Sequence, residues 1–423
     1  MTGSTAVTEA DPKTLAGVVR DAPFVRLVAR DDGDALAAAA LLARVARNLD
    51  TPYQVRVSAD PGGAIESLAS DGSDDVSIAI GANGAESSSV TGIHAITGDR
   101  RPASTTAFAV AGELGIDADP VLTLAGIIAA GTVPESNDPG DALEAAKRRD
   151  LVDRRPGVAV PSMASSEDLA EGLAASTLFR APVSGDVEAA RSILSALDTS
   201  ATIDRDSLSN DDHQRLASLL AVEVVGMPTA SERSASALER VLRPYAIVDS
   251  EPFATVGGYA DVLRALAREA PGTGIALAIS KDDLDDRLRT VALDEWRSHG
   301  TTVHRSIAGA TTSRYDGVFV ARVDAPSGAI ATVAEVIRDF RSPEPIALVI
   351  DADAGRIAAA ASEPVGIGET LRSVADEFHA TGWGGPTRGG LDMADVDDER
   401  DAAGNGDRDA SELLAATREA LRT

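Results

Sequence analysis

"VARDDGDALAAAALL" occupies residues 28–42 and sits at a change of hydrophobic period. The run before it, "FVRLVA" (24–29), reads as a short buried strand. The run after it, "ALAAAALLARVARNL" (35–49), reads as a helix. The turn between them carries Asp31, Asp32 and Asp34 around Gly33. In a mostly parallel sheet, ligands gather at the carboxyl ends of strands. Carboxylates placed there suit a hard divalent cation. They equally favour the positive end of the helix that follows, and Asp34 ahead of an alanine run fits an N-cap. The residue types leave both readings open.

Strand and helix keep alternating away from this turn. "YQVRV" (53–57), "VSIAI" (76–80) and "IHAIT" (93–97) read as strands, with a short helix over 63–69. "TTAFAVAGEL" (105–114) and "PVLTLAGIIAAG" (120–131) read as helices. The pattern predicts an α/β fold with a mostly parallel sheet in residues 21–165, behind a disordered N-terminus over 1–20. Residues 166–245 read as a helical connector. A smaller α/β domain is expected over 246–390. Its helices are expected at 258–270, 282–300, 327–340 and 368–381. Its strands are expected at 274–280, near 302–308, and at 317–323 and 346–351. "DADAGR" (351–356) echoes the opening acids but reads as a β-turn. The acidic stretch 391–409 reads as disordered. "ASELLAATREALRT" (410–423) reads as a short helix, either frayed on the surface or partner-binding.

Composition sets outer bounds. The chain has 423 residues, a net charge of −28 and no cysteine, so disulfides and thiolate metal sites are excluded. Only three of its 39 basic residues are lysine (Lys13, Lys147, Lys281). This is the style of an extreme halophile, whose acidic surface is screened by molar salt. The start "MTGSTAVTEADPKT" has no basic, apolar leader, and no apolar run reaches about 18 residues. A cytoplasmic protein with no membrane span is expected. The global charge gives no support for nucleic-acid binding, which would need a local basic patch.

Four stretches in order along the chain resemble the DHH phosphoesterase superfamily, which includes the RecJ single-strand exonucleases and archaeal RecJ-like proteins. "DDGDALAAAALL" resembles the first motif. "GDRRPASTTAFAVAGELG" (98–115) resembles the region of the Asp-His-His motif. "LTLAGIIAAGTV" (122–133) resembles the helix leading to the fourth motif. "GWGGPTRGG" (382–390) resembles the glycine-rich signature of the DHH-associated C-terminal domain. The resemblance implies two divalent ions, manganese or magnesium, that hold a scissile phosphate and activate water. It places remnant metal ligands at Asp32, Asp34 and Asp99. It places nucleic-acid contacts at Arg100, Arg101, Trp383, Gly384, Gly385, Thr387 and Arg388. There the arginines hold phosphate and the indole stacks on a base. A salt-bridged arginine pair at 100–101 and a tight turn around a core tryptophan are the plainer readings of the same residues.

Departures from the family pattern are as informative as the matches. Arg30 and Val28 stand where the other first-motif ligand belongs. The strand at 76–80 is followed by Gly81, Ala82 and Asn83 rather than an aspartate, and "TVP" replaces the acid of the fourth motif. Asp99-Arg100-Arg101 keeps the acid of the triplet and loses both histidines, and Pro386 replaces the histidine of the C-terminal signature. The expectation is a RecJ-like protein that binds single-stranded nucleic acid or serves as a replication or repair scaffold. Its partners would be of the GINS and MCM type, and its nuclease activity lost or impaired. The alternative is an active manganese-dependent 5′–3′ exonuclease or oligonucleotide phosphoesterase. An unrelated two-domain ligand-binding protein is a third reading.

Overall fold

The computed structural model describes residues 11–68, 75–82, 93–98, 101–135, 141–163, 166–197, 209–248, 253–280, 285–393 and 406–422. They fall into two compact units. The first draws on the chain up to Arg155, on Ala159–Met163 and on Arg243–Trp296. The second draws on Pro156–Val158, Ala164–Leu242 and the chain from Arg297 onward.

The first unit begins with α1 (Pro12–Asp21), β1 (Val25–Arg30), α2 (Gly33–Asn48), β2 (Tyr53–Ser58) and α3 (Pro61–Leu68). It continues through β3 (Val76–Ile80), β4 (Ile93–Ile96), α4 (Ala103–Glu113), α5 (Pro120–Ala129), α6 (Ala142–Arg148) and β5 (Val152–Arg154). The second unit contributes α7 (Ser166–Ala175), α8 (Val187–Leu197), α9 (Asn210–Gly226) and α10 (Ser234–Glu239). The chain then returns to the first unit with β6 (Tyr245–Ile247), α11 (Val256–Glu269) and α12 (Pro271–Ile279), and α13 (Asp286–Gly309) carries it into the second. That unit is completed by β7 (Thr311–Tyr315), β8 (Val318–Arg322), α14 (Ser327–Phe340), β9 (Ile346–Asp351) and β10 (Arg356–Ala361). Last come α15 (Ile367–Phe378), β11 (Thr381–Gly384), β12 (Arg388–Asp392) and α16 (Gly406–Ala420).

Four parallel strands in the order β2-β1-β3-β4 form the first sheet. α2 is buried from Gly33 to Ala43, and α4, α5, α11 and α12 pack around it. A helix enclosed on all sides must be apolar all round, and alanine keeps such a helix thin enough for four neighbours. Gly33 has its own reason. A Cβ there would lie 2.9 Å from Ala129 Cβ and 3.0 Å from the Arg264 backbone nitrogen. The glycine of the acidic turn therefore lets α5 and α11 approach the start of α2.

The second unit has a six-stranded sheet ordered β11-β12-β10-β9-β8-β7. β8 and β9 run parallel, and the other neighbouring pairs are antiparallel. Val318 and Val320, Leu348 and Ile350, and Ile357 and Ala359 alternate onto one face. Leu371 of α15 and Leu413, Leu414 and Leu421 at the C-terminal end cover that face. α14 packs against β9 and β10.

The α/β class and the parallel first sheet match the sequence reading, while several elements differ. Residues 12–20, expected within a disordered N-terminus, form most of α1, with Leu15, Ala16 and Val19 buried against α4. "GIALAIS" is the helix α12 rather than a strand, because a short apolar run has no period of its own and Pro271 starts a helix. Residues 302–308 lie inside α13, where Ala292, Trp296, His299, Val303 and Ile307 form a buried stripe at helical spacing. The stretch 246–296 was expected in the second domain. Its helices α11 and α12 instead pack on α2. The terminal helix is neither frayed nor waiting for a partner, since its leucines complete the core of the second unit. "DADAGR" is the turn of the β9–β10 hairpin, as expected, with Asp351 accepting from the Ala354 backbone at 3.1 Å. Among the described residues no helix is long and apolar enough to cross a membrane.

Candidate functional site

β1 delivers Arg30, Asp32 and Asp34 to the carboxyl end of the parallel sheet. Asp32 is 4% exposed and is the N-cap of α2. Its Oδ1 accepts from the backbone nitrogens of Asp34 (3.0 Å) and Ala35 (2.9 Å). Its Oδ2 is held by Arg30 Nε at 2.5 Å. The Arg30 guanidinium reaches on to the Gly81 carbonyl at 2.9 Å. Gly81 has φ +79°, and a Cβ there would lie 2.9 Å from Arg30 Cβ. Gly81, after β3, leaves room for the Arg30 side chain at the end of β1 that lies over it.

Asp34 is also buried, but it does not cap its own helix. Its Oδ2 accepts from Ala103 N at 2.6 Å and its Oδ1 from Ser104 N at 3.0 Å, so it closes the start of α4. The residue preceding α4 is Pro102, which has no side-chain acceptor to offer. Burial, helped by the Asp32 charge and offset in part by the Ser104 and Ala103 hydrogen bonds, pushes the Asp34 carboxyl up to about 6. The reading of Asp34 as the cap of α2 is thus corrected: Asp32 caps α2 and Asp34 caps α4. Arg101 is half-buried in the bend before α4, and Asp99 and Arg100 lie outside the described residues.

The remaining sequence candidates come together in the β11–β12 hairpin of the second unit. Its tip is built from backbone. The Pro386 carbonyl accepts from Val365, Gly366 and Ile367 nitrogens at 3.0–3.2 Å, and the Gly385 carbonyl accepts from Gly368 at 2.8 Å. The Thr387 carbonyl accepts from Ala361 at 2.7 Å, and the Arg372 guanidinium donates to the Gly384 carbonyl at 3.2 Å. Proline lacks an N–H, and this tip uses only its carbonyl. Gly384 has φ +135°, and a Cβ there would lie 2.3 Å from Gly389 Cα. Trp383 is half-buried and its ring lies over Gly390, where a Cβ would meet it at 2.9 Å. Arg388 faces Glu335 at 3.7 Å. Sequence reasoning did not single out Glu335, which lies on the buried side of α14 like an apolar residue. It noted Arg30 only as a missing ligand. The signal for its role was the pairing of an arginine at the end of β1 with a glycine at the end of β3.

Residues 310–419 match the family described as "Uncharacterized protein rrnAC1427, C-terminal domain". Over 402 residues the chain is 45% identical to "Uncharacterized protein rrnAC1427" of Haloarcula marismortui, covering 94% of this chain and 97% of that protein. The chain belongs to the rrnAC1427 family. Among solved structures, CDC45 from Entamoeba histolytica is similar with a TM-score of 0.60 at 8% identity, covering 97% of each chain. RecJ of Thermus thermophilus in complex with Mn2+ is similar with a TM-score of 0.50 at 13% identity. That likeness covers 99% of this chain and 56% of RecJ, so the chain spans about half of that protein's length. These likenesses give this rrnAC1427-family chain a RecJ-like DHH fold.

The metal that the fold family implies can be tested against the residues present. A two-ion centre needs several anionic or neutral ligands converging with free lone pairs. Here Asp34 is committed to two backbone nitrogens, Asp32 to two more and to a guanidinium. Among the described residues no group of three or more His, Asp or Glu side chains converges to hold a metal ion. The described cleft does not fit a two-metal centre.

Proposed function

We propose that this protein is a RecJ-like DHH protein whose nuclease centre has become structural, and that it acts as a nucleic-acid-binding or scaffold subunit in replication or repair. The observation that carries this reading is Arg30. Its guanidinium pairs with Asp32 and the Gly81 carbonyl, so a fixed positive charge stands at the strand ends where the fold family places cations. A cation at that spot disfavours metal entry by direct repulsion in a partly dry cleft. The superfamily resemblance supports the scaffold half of the proposal. It includes RecJ relatives without catalysis that associate with GINS and MCM-type proteins.

Single-stranded nucleic acid is the ligand class favoured for the second unit. Trp383 and Arg388 lie on the β11–β12 hairpin and Arg372 of α15 reaches its Gly384 carbonyl, a combination that suits a stacked base and a backbone phosphate. The test is incubation of 5′-labelled single-stranded DNA with the protein and manganese in high salt. The expected result is intact strand, retained in a binding assay and released by Trp383→Ala. Manganese-dependent shortening of the strand that Asp32→Ala abolishes would overturn the reading.

A further inference from the structure

In a chain with 67 acidic and 39 basic residues, nearly every buried or half-buried arginine should find a carboxylate. Among the arginines of the second unit without a carboxylate partner are Arg180 and Arg341, which come to the end of one helix. Arg180 lies in the loop between α7 and α8, and Arg341 is the C-cap of α14. Both reach the last turns of α13. Arg180 Nη1 stands 3.1 Å from His304 Nδ1, and Arg341 Nη1 donates to the Ile307 carbonyl at 2.9 Å, three residues further along. Among the described residues neither guanidinium has an acidic partner.

The histidine fixes the arrangement. His304 is 1% exposed, and its Nε2 lies 2.8 Å from the Ser176 carbonyl. A carbonyl only accepts, so Nε2 carries the proton and Nδ1 is an acceptor. That acceptor holds Arg180 by one of its donors. Burial pushes the His304 imidazole down to about 3, so it stays neutral beside the arginines. Gly185 packs against the base of this side chain, where a Cβ would lie 3.1 Å from His304 Cβ. The Arg180 guanidinium is itself pushed down to about 10 by burial and by the Arg341 charge, and burial lowers Arg341 too. Each guanidinium has five N–H donors and spends one on the protein. The negative end of α13 offsets part of the repulsion, most directly for Arg341. It does nothing for the remaining donors of Arg180.

We infer that Arg180 and Arg341 form a binding site for a tetrahedral oxyanion of the phosphate class, with His304 as the positioning residue. Guanidinium forks match the oxygens of a phosphate in pairs, and an anion removes the like-charge repulsion between the two side chains. The site lies apart in sequence from the β11–β12 hairpin and from the cleft around Arg30. It stands or falls independently of the loss of catalysis proposed above. Free phosphate and the phosphodiester of a nucleic-acid strand share this chemistry.

The experiment follows thermal unfolding of the full-length chain against inorganic phosphate, at constant ionic strength set with sodium chloride. It compares wild type, Arg180→Gln, Arg341→Gln and the conservative Arg180→Lys, each checked for native circular dichroism. The expected result is a saturable rise in the wild-type Tm, with half-saturation at about tenfold higher phosphate or more in either glutamine variant. The nitrogen-15 resonance of His304 Nδ1 moves over the same concentration range in wild type, which keeps the test decisive if a variant is unstable. A parallel arm with a short oligothymidine separates the sources. Competition with phosphate assigns the site to a strand, and no competition assigns it to the free ion. No phosphate effect beyond that of chloride, or equal half-saturation in wild type and both glutamine variants, would mean that the pair serves only the end of α13 and would overturn the inference.

Discussion

The acidic turn at 30–34 and the glycine-rich hairpin at 382–390 both differ from the motifs that the sequence resemblance implies, and the two are built in opposite ways. In the turn the work belongs to side chains. Asp32 and Asp34 close two helices, and Arg30 stands over Gly81. In the hairpin the work belongs to the backbone, and the proline at 386 takes part through its carbonyl alone. The carbonyls of Gly385, Pro386 and Thr387 close the start of α15 and the end of β10. A site built from side chains depends on each residue type, whereas a shape built from backbone hydrogen bonds tolerates most changes of residue.

That contrast is broken most severely in the hairpin. Gly384→Ala forces a Cβ to 2.3 Å from Gly389 Cα at φ +135°. It should cost more than about 4 kcal/mol and abolish cooperative unfolding of the second unit in circular dichroism. Arg30→Ala in the cleft should cost about 3 kcal/mol, because it leaves Asp32 charged and nearly dry. The double variant Arg30→Ala/Asp32→Asn should recover most of that loss in chemical denaturation. Recovery of less than a quarter would show that Arg30 acts through something other than this pair.

Acidification should act with opposite sign on Asp34 of the first unit and His304 of the second. The Asp34 carboxyl is raised from 3.8 to about 6. Between those values the folded state holds a proton that the unfolded state has released, so this contribution to stability rises as pH falls through 6. Its full size is about 3 kcal/mol. His304 is lowered from 6.5 to about 3. Between those values the unfolded state holds the extra proton, so stability is lost as pH falls through 6.5. From pH 7 to 5, Asp34→Asn should steepen the loss of stability, and His304→Gln should flatten it. Calorimetry at fixed salt checks both signs. The smallest effect is expected at the indole. Trp383→Phe keeps a ring over Gly390 and should change stability by about 1 kcal/mol or less, while weakening single-strand binding measured by anisotropy.

Much of this was legible in the sequence, for reasons that lie in particular residues. "FVRLVA" followed by "DDGDALAAAALL" shows a change of period at an acidic turn, which fixes a strand, a cleft and a helix using local signals alone. Arg30, Gly81 and Pro386 were equally visible as differences from the motifs that the resemblance implies. The destination of Asp34 was not, because Ala103 and Ser104 are brought to it only by the folded sheet. β10 escaped notice because "RIAAAA" is mostly alanine, which has weak strand preference and no polar alternation. α12 and the end of α13 were misread because short apolar runs fit strand and helix alike until neighbours decide. The arginines at 180 and 341 gave no local signal, since their significance lies in meeting at the end of α13.

Calorimetric titration of manganese into the wild-type chain, with Asp32→Ala and Asp34→Ala alongside, tests the central claim most directly. A cleft filled by Arg30 predicts no stoichiometric manganese binding that depends on either aspartate. Two equivalents bound in wild type and lost in both variants would contradict it.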